Sequence, residues 1–258
     1  MLLRHGESTA IVEGRFQGRL DVALSPVGRR QAELAAQRLA RPHASPVLPV
    51  PLGPPVEIVH SPLARAAATA GLVATAIAGP GGFGRPVPLR ADEGFAEIGQ
   101  GEWEGLLATE VVDRWPDRIS AWRHTPLEAQ APRGETLFDV ERRVRPSLAR
   151  LLTRLSDVSA ASPRPAREVP TYSDALGSEP WSIVVAHDGV FKVAALTLLG
   201  LPLDRFWTLP FALCGITVIE LRRGRPTLRA HNLTEHLAPL LEERAIAVSE
   251  ERERTGAL

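Results

Sequence analysis

Two histidines and two arginines stand where a chain of alternating strands and helices would release them at one sheet edge. Arg4-His5-Gly6 follows Leu2-Leu3, Arg65 lies just beyond the apolar run Val56-Glu57-Ile58-Val59-His60, and His187 follows Ile183-Val184-Val185-Ala186. A neutral imidazole can attack phosphorus, and a guanidinium can hold phosphoryl oxygens through a planar fork of donors. His5 is therefore the candidate nucleophile, with Arg4, Arg65 and His187 as candidate oxygen binders. Taken alone, Arg4-His5 reads more readily as a surface pair, so the chemistry depends on the other strand ends supplying partners. Ligands of open α/β sheets bind beyond the carboxyl ends of the strands. Four basic side chains gathered there are costly without an anion, and phosphate is the natural occupant.

The elements that must position these residues are legible in turn. Ser25-Pro26-Val27-Gly28 signals a helix start, with Ser25 as N-cap and Pro26 at the first helical position. Ala32, Ala35, Ala36 and Leu39 share one face, predicting a helix over 26–41. Pro42 to Pro55 carries six prolines and reads as a loop or insertion. Val56–His60 is a predicted strand. Ser61-Pro62 repeats the Ser-Pro signal ahead of a helix with Ala66, Ala70, Val73, Ala74 and Ile77 on one face. Arg65 falls in its first turn, beside N–H groups that favour an anion. A glycine-rich stretch, 79–84, ends that helix, and Pro86–Arg90 is a short predicted strand. This alternation predicts a three-layer α/β/α fold with a mostly parallel central sheet.

The pattern breaks from Asp92 to Gly105, a glycine-punctuated stretch rich in carboxylates that fits either a solvated surface or an active-site lid. Residues 106–122 read as short helices bearing tryptophan. Gly134-Glu135-Thr136 opens a longer helix through about Leu155, striped by Leu137, Val140, Val144, Leu148, Leu151, Leu152 and Leu155. Ser159 to Pro180 is a second loop. Trp181–Ala186 is the clearest buried strand, followed by His187-Asp188-Gly189 and a helix over Val190–Leu199. Residues 213–221 and 225–231 complete the sheet as a hairpin turned at Arg223-Gly224-Arg225, and a charged tail begins at Glu242. One domain over 1–258 is expected, with proline-rich insertions near 42–55 and 159–180 and no internal repeat. The first strand has three residues before Arg4, against the usual five or six or so. Either that strand is unusually short or the start codon is placed late.

Lys plus Arg and Asp plus Glu are both 30 in 258 residues, a balance that gives no support for nucleic acid or an anionic membrane as partner. The lone Cys214, in an apolar run, reads as a buried small hydrophobe. The charged block Arg4-His5-Gly6-Glu7 precedes any apolar region a signal peptide would need, and no apolar run is long enough to span a membrane; the expected location is the cytoplasm. The oligomeric state is left open, a homodimer included.

A wider set of motifs falls in one order: Arg4-His5-Gly6-Glu7-Ser8, Phe16-Gln17-Gly18, Leu24-Ser25-Pro26 with Gly28, Ser61-Pro62-Leu63 with Arg65-Ala66 and Thr69-Ala70, Glu97 ahead of Gly101-Glu102-Trp103-Glu104-Gly105, Gly134-Glu135-Thr136, and Ala186-His187-Asp188-Gly189. Over roughly residues 1–231 the chain resembles the histidine phosphatase superfamily, the phosphoglycerate-mutase-like enzymes, in its phosphatase branch. The resemblance implies that His5 accepts the phosphoryl group and that Arg4, Arg65 and His187 bind its equatorial oxygens. It implies that Glu97 protonates the leaving oxygen and then deprotonates the attacking water, its proton favoured by Phe95, Ile98 and Trp103 nearby. Gln17 and Gly18 fit a substrate-binding turn. No cofactor and no metal is expected, the arginines and His187 supplying the positive field.

Departures are equally specific. Ile11 stands where many members carry an asparagine, so one phosphate donor is missing or replaced, at a cost of roughly 2–4 kcal/mol if nothing substitutes. Asp188 replaces a common glycine and reads as the cap of a helix starting at Gly189 in preference to a substrate contact. His60 and His124 match no motif and read as ordinary polar residues. Between Trp122 and Gly134 only Arg123, His124 and Arg133 are basic, without the paired arginines of the mutases, which favours hydrolysis over transfer. The alternatives are a cofactor-dependent phosphoglycerate mutase and a non-catalytic phosphate-ligand-binding protein of the same fold. The partner expected is a small phosphorylated metabolite.

Overall fold

Strand residues in this chain alternate between two apolar surfaces, and that alternation sets the architecture. The computed structural model describes residues 1–161, 179–222, 224–241 and 243. Six strands, β1 (Leu2–Arg4), β2 (Ile58–His60), β3 (Leu89–Ala91), β4 (Ile183–Ala186), β5 (Ile216–Arg222) and β6 (Arg225–Leu233), form one sheet in the order β3-β2-β4-β1-β5-β6. The first four in that order run parallel; β5 is antiparallel to both β1 and β6. Leu3, Ile58, Ile183, Val185 and Ile216 face α2 (Pro26–Ala40) and α3 (Ala64–Ala78). Leu2, Val59, Val184 and Ala186 face the opposite core, built with α6 (Leu137–Ala161) and α7 (Asp188–Leu199). These strand side chains are almost wholly buried, each contributing about 1.5–3 kcal/mol for the larger aliphatics. The result is the expected α/β/α sandwich.

The short first strand is unexceptional here, because β1, β2 and β3 each span three residues and β4 four. Register does the positioning: Arg4 pairs with Ala186 and His60 with Val185. The residues that follow, His5, Ser61 and His187, therefore emerge side by side. His5 N donates to Ala186 O at 3.0 Å and Ser61 N to Val185 O at 2.9 Å.

Helix starts explain the approach of the layers. Ser25 caps α2 by accepting from Gly28 N at 2.9 Å and donates its hydroxyl to Glu7 Oε1 at 2.7 Å. A Cβ at Gly28 would overlap Glu7 O, so only glycine lets α2 seat on the loop after His5. Ser61 does not cap α3, contrary to the repeated Ser-Pro signal. That helix starts at Ala64 with Leu63 in the N-cap position, and its first N–H, Ala64 N, goes to the remote Asp21 Oδ1 at 2.6 Å.

Other boundaries shift modestly. The third strand is Leu89–Ala91, α6 runs Leu137–Ala161 and so enters the predicted second loop, and the hairpin spans Ile216–Arg222 and Arg225–Leu233. Thr136 and Asp139 cap α6 reciprocally, Thr136 N donating to Asp139 Oδ2 at 3.0 Å and Asp139 N to Thr136 Oγ1 at 3.1 Å. The tryptophan-bearing stretch forms α4 (Ala108–Arg114) and α5 (Pro116–His124), and a single helical turn, α1 (Thr9–Val12), follows Ser8. Most of the 159–180 loop, Arg223 in the hairpin turn and most of the charged tail lie outside the described residues. Among the described residues no helix is long and apolar enough to cross a membrane.

Candidate active site

His5 leaves β1 buried, and its Nδ1 lies 2.6 Å from Gly6 O. A carbonyl oxygen only accepts, so Nδ1 carries the proton and Nε2 presents its lone pair. His187 leaves β4 fully buried, with its Nε2 2.7 Å from Ser61 Oγ and its Nδ1 without a protein partner. The two rings meet edge-on with centroids 4.9 Å apart. Burial, followed by the charges of Arg4 and Arg65, holds His5 well below the usual histidine range. His187 is lowered in the same direction, first by burial and then by His5, Arg65 and Arg4. Both imidazoles are thus kept neutral.

The two arginines are anchored through their terminal nitrogens. Arg65 is 1% exposed, donating from Nη1 to Leu20 O at 2.8 Å and from Nη2 to Gly18 O at 2.9 Å. Arg4 donates from Nη1 to Phe211 O at 2.5 Å. Arg4 Nε, Arg65 Nε and His187 Nδ1 are buried nitrogens with no partner in the protein. Unpartnered buried donors are rare, because each forfeits about 1–3 kcal/mol of solvation. Two of these nitrogens belong to the arginines whose charges act on His5 and the third to the ring that meets it edge-on, an arrangement suited to an anion.

Glu97 lies across the N-terminus of α7. Its Oε1 accepts from Ile98 N and Val190 N, both at 2.9 Å, and its Oε2 accepts from Gly189 N at 3.2 Å. Gly189 permits this approach, since a Cβ there would stand 2.8 Å from Glu97 Oε1 and 2.7 Å from Ile98 Cδ1. The sequence expectation of apolar surroundings for Glu97 thus misses its main contacts, which are three backbone N–H donors. Gln17 Oε1 accepts from Ser8 Oγ at 2.6 Å, while Gly18, at φ +48°, acts through the carbonyl that holds Arg65. Ile11 supplies a backbone N–H to Ser8 Oγ at 3.3 Å and no side-chain donor. Among the described residues no cluster of three or more His, Cys, Asp and Glu is arranged to hold a metal.

Known proteins resemble this chain in sequence and in fold. Residues 1–161 and 166–234 match the histidine phosphatase superfamily (branch 1). The chain belongs to that superfamily. It is a phosphatase of that superfamily, a hydrolase. It is 28% identical over 237 residues to phosphoserine phosphatase 1 of Hydrogenobacter thermophilus, covering 92% of this chain and 93% of that one. It is 33% identical over 206 residues to glucosyl-3-phosphoglycerate phosphatase of Mycolicibacterium vanbaalenii, covering 80% and 76%. The structure of a mycobacterial glucosyl-3-phosphoglycerate phosphatase with inorganic phosphate superposes with a TM-score of 0.70 at 26% identity, over 92% of this chain and 98% of that one.

Several residues of this phosphatase escape sequence reasoning. Ser61, read as a helix cap, is the partner of His187 across 126 residues of chain. Asp188 does not cap α7; His187 takes the N-cap position and Asp188 is the first helical residue, with its carboxylate on Lys192 Nζ at 2.6 Å and Phe211 N at 3.2 Å. Arg143 braces the Glu97 loop, donating to Gly94 O, Ala96 O and Glu97 O at 2.8–3.0 Å and pairing with Glu135. Glu135 in turn takes Gly99 N at 2.8 Å. The Gly-Glu-Thr motif marks Glu135 in the sequence, but nothing local marks Arg143. His60 donates from Nδ1 to Ser61 O at 2.8 Å and exposed His124 reaches Ser120 O, and Cys214 is buried with its thiol pushed up to about 12 by desolvation.

Proposed function

We propose that this phosphatase is a phosphomonoesterase that hydrolyses a small phosphorylated metabolite through a phosphohistidine at His5. The observation that carries the reading is the free Nε2 of His5 with Arg4, Arg65 and His187 close by, each keeping a buried nitrogen that no protein group meets. In the first step His5 Nε2 attacks phosphorus and the ester P–O bond breaks, the leaving oxygen taking a proton from Glu97. Arg4, Arg65 and His187 hold the three equatorial oxygens, where charge spreads in a loose transition state. In the second step Glu97 removes a proton from water, the water oxygen bonds to phosphorus, and the N–P bond breaks to return His5. Relatives named for phosphoserine and glucosyl-3-phosphoglycerate support a small phosphate ester as substrate.

Hydrolysis is favoured over transfer between substrate positions. Of the cations between Trp122 and Gly134, Arg123 and His124 are exposed, and Arg133 is exposed and paired with Glu102 at 2.8 Å. None forms a buried second acid-binding group. The test is incubation with p-nitrophenyl phosphate and, separately, with 3-phosphoglycerate plus its bisphosphate primer. Release of inorganic phosphate from a panel of phosphomonoesters is expected; rapid isomerisation of 3-phosphoglycerate without phosphate release contradicts the proposal.

A further inference from the structure

Lys192 is the one lysine in the sequence, and it is 4% exposed on α7. Its Nζ lies 2.6 Å from Asp188 Oδ2, 4.5 Å from the centre of the Trp207 ring and 5.2 Å from that of Phe206. A buried ammonium carries a desolvation penalty of several kcal/mol, so a lysine in this place is held by its partners, one carboxylate and two aromatic faces. The mechanism proposed above leaves it without a task.

The partner carboxylate leads back to the phosphate site. Asp188 follows His187 directly, and its second oxygen, Oδ1, accepts from Phe211 N at 3.2 Å. The carbonyl of that same residue, Phe211 O, takes Arg4 Nη1 at 2.5 Å. Phe211 therefore bridges Asp188 and Arg4 through the two polar groups of its own backbone. Its ring is fixed as well, 5.4 Å from Phe191 and 5.1 Å from His231. The segment beyond it is tied down by Ala212 N to Asn232 Oδ1 at 2.6 Å and by Cys214 N to His5 O at 3.3 Å. Arg4 has no other side-chain partner described, so the direction of its fork depends on where the Phe211 carbonyl stands.

We infer that the Lys192–Asp188 pair is a positioning device for Arg4: it fixes the Phe211 peptide, whose carbonyl aims the Arg4 guanidinium at the phosphoryl oxygens. Lys192 orients the Asp188 carboxylate so that Oδ1 meets Phe211 N, while Trp207 and Phe206 cover the ammonium. This also explains why a carboxylate stands at position 188, where a glycine would leave Phe211 N unheld. The inference rests on the phosphate-binding role proposed for Arg4.

The test is a double-mutant cycle read by calorimetric binding of inorganic phosphate to the full-length protein. Lys192→Met keeps volume and removes the charge; Arg4→Gln removes the guanidinium. Lys192→Met is expected to weaken phosphate binding about tenfold in the otherwise native protein and less than twofold in the Arg4→Gln background. An equal loss in both backgrounds, as general loosening of the fold produces, overturns the inference, as does no loss in the native background. Should Lys192→Met alone fail to fold because Asp188 is left unpaired, Asp188→Ala/Lys192→Met removes both charges and the acceptor for Phe211 N. The same tenfold loss confined to the Arg4-containing background is then expected. The two levels of reading separate cleanly: if Arg4→Gln itself leaves phosphate affinity unchanged, the assignment of Arg4 fails; if Arg4→Gln weakens binding and Lys192→Met does not, the positioning role alone fails.

Discussion

The ends of β1 and β4 lie next to each other in register, and each releases a buried histidine, yet the two are held by chemically different partners. His5 is fixed by a backbone carbonyl, Gly6 O; His187 is fixed by a hydroxyl, Ser61 Oγ. A carbonyl dictates which nitrogen carries the proton, whereas a hydroxyl can accept or donate and so leaves the tautomer adjustable. A nucleophile needs its lone pair on one defined atom throughout the cycle. An oxygen binder needs a donor that adapts as negative charge grows and departs. In the proposed mechanism, similar burial and the same direction of pKa displacement serve two roles, separated by the group that meets each ring.

The largest expected effect comes from the rings themselves. His5→Ala is expected to lower kcat toward p-nitrophenyl phosphate by at least about 10⁴-fold, because the covalent route is lost. His187→Ala, which removes the ring nitrogen facing the phosphoryl group, is expected to cost about 10²-fold, comparable to losing one transition-state donor. Equal losses in steady-state kinetics would mean the two histidines are not functionally distinct. Ser61→Ala sharpens the contrast. Removing one neutral hydrogen bond to His187 is expected to reduce kcat/KM roughly three- to tenfold, with phosphorylation of His5 intact.

Strand ends carried most of what the sequence revealed about this site. Arg4, His5, Arg65 and His187 follow apolar runs whose parallel pairing places them at one edge, so periodicity and sheet topology suffice to gather them. The face on which α2 and α3 pack was legible for the same reason. What stayed hidden are contacts made by long-range return of the chain, such as Ser61 to His187 and Phe211 to Arg4, whose partners are 126 and 207 residues apart. The two Ser-Pro steps illustrate the limit. Ser25 caps α2, while Ser61 sits three residues ahead of α3 and turns to β4, and no local signal separates them. Asp188 was misread as a cap because a carboxylate at a helix start has that local use, whereas Lys192 one turn on and Phe211 across the fold claim it here.

The smallest expected effect concerns stability against pH. His5 and His187 have folded values displaced downward by burial and neighbouring cations, against about 6.5 in the unfolded chain. Above that value neither state gains a proton at these sites and their contribution is fully present. As pH falls below it, the unfolded chain takes up protons that the folded site refuses, so stability drops by up to about 1.4 kcal/mol per pH unit for each histidine. The loss continues until the lowered folded values are reached. Thermal unfolding between pH 7.5 and 5 should therefore show a steeper fall for the native protein than for His5→Gln/His187→Gln. Parallel curves would mean that these imidazoles titrate alike in both states.

The most direct measurement of the central claim is the site and atom of phosphorylation. Turnover of p-nitrophenyl phosphate quenched in alkali, where phosphohistidine survives, should yield one acid-labile phosphoryl group on His5, absent from His5→Ala, and NMR of the labelled protein should place it on Nε2. A phosphoryl group on Nδ1 or on another residue, or sustained turnover with His5 never labelled, would contradict the account.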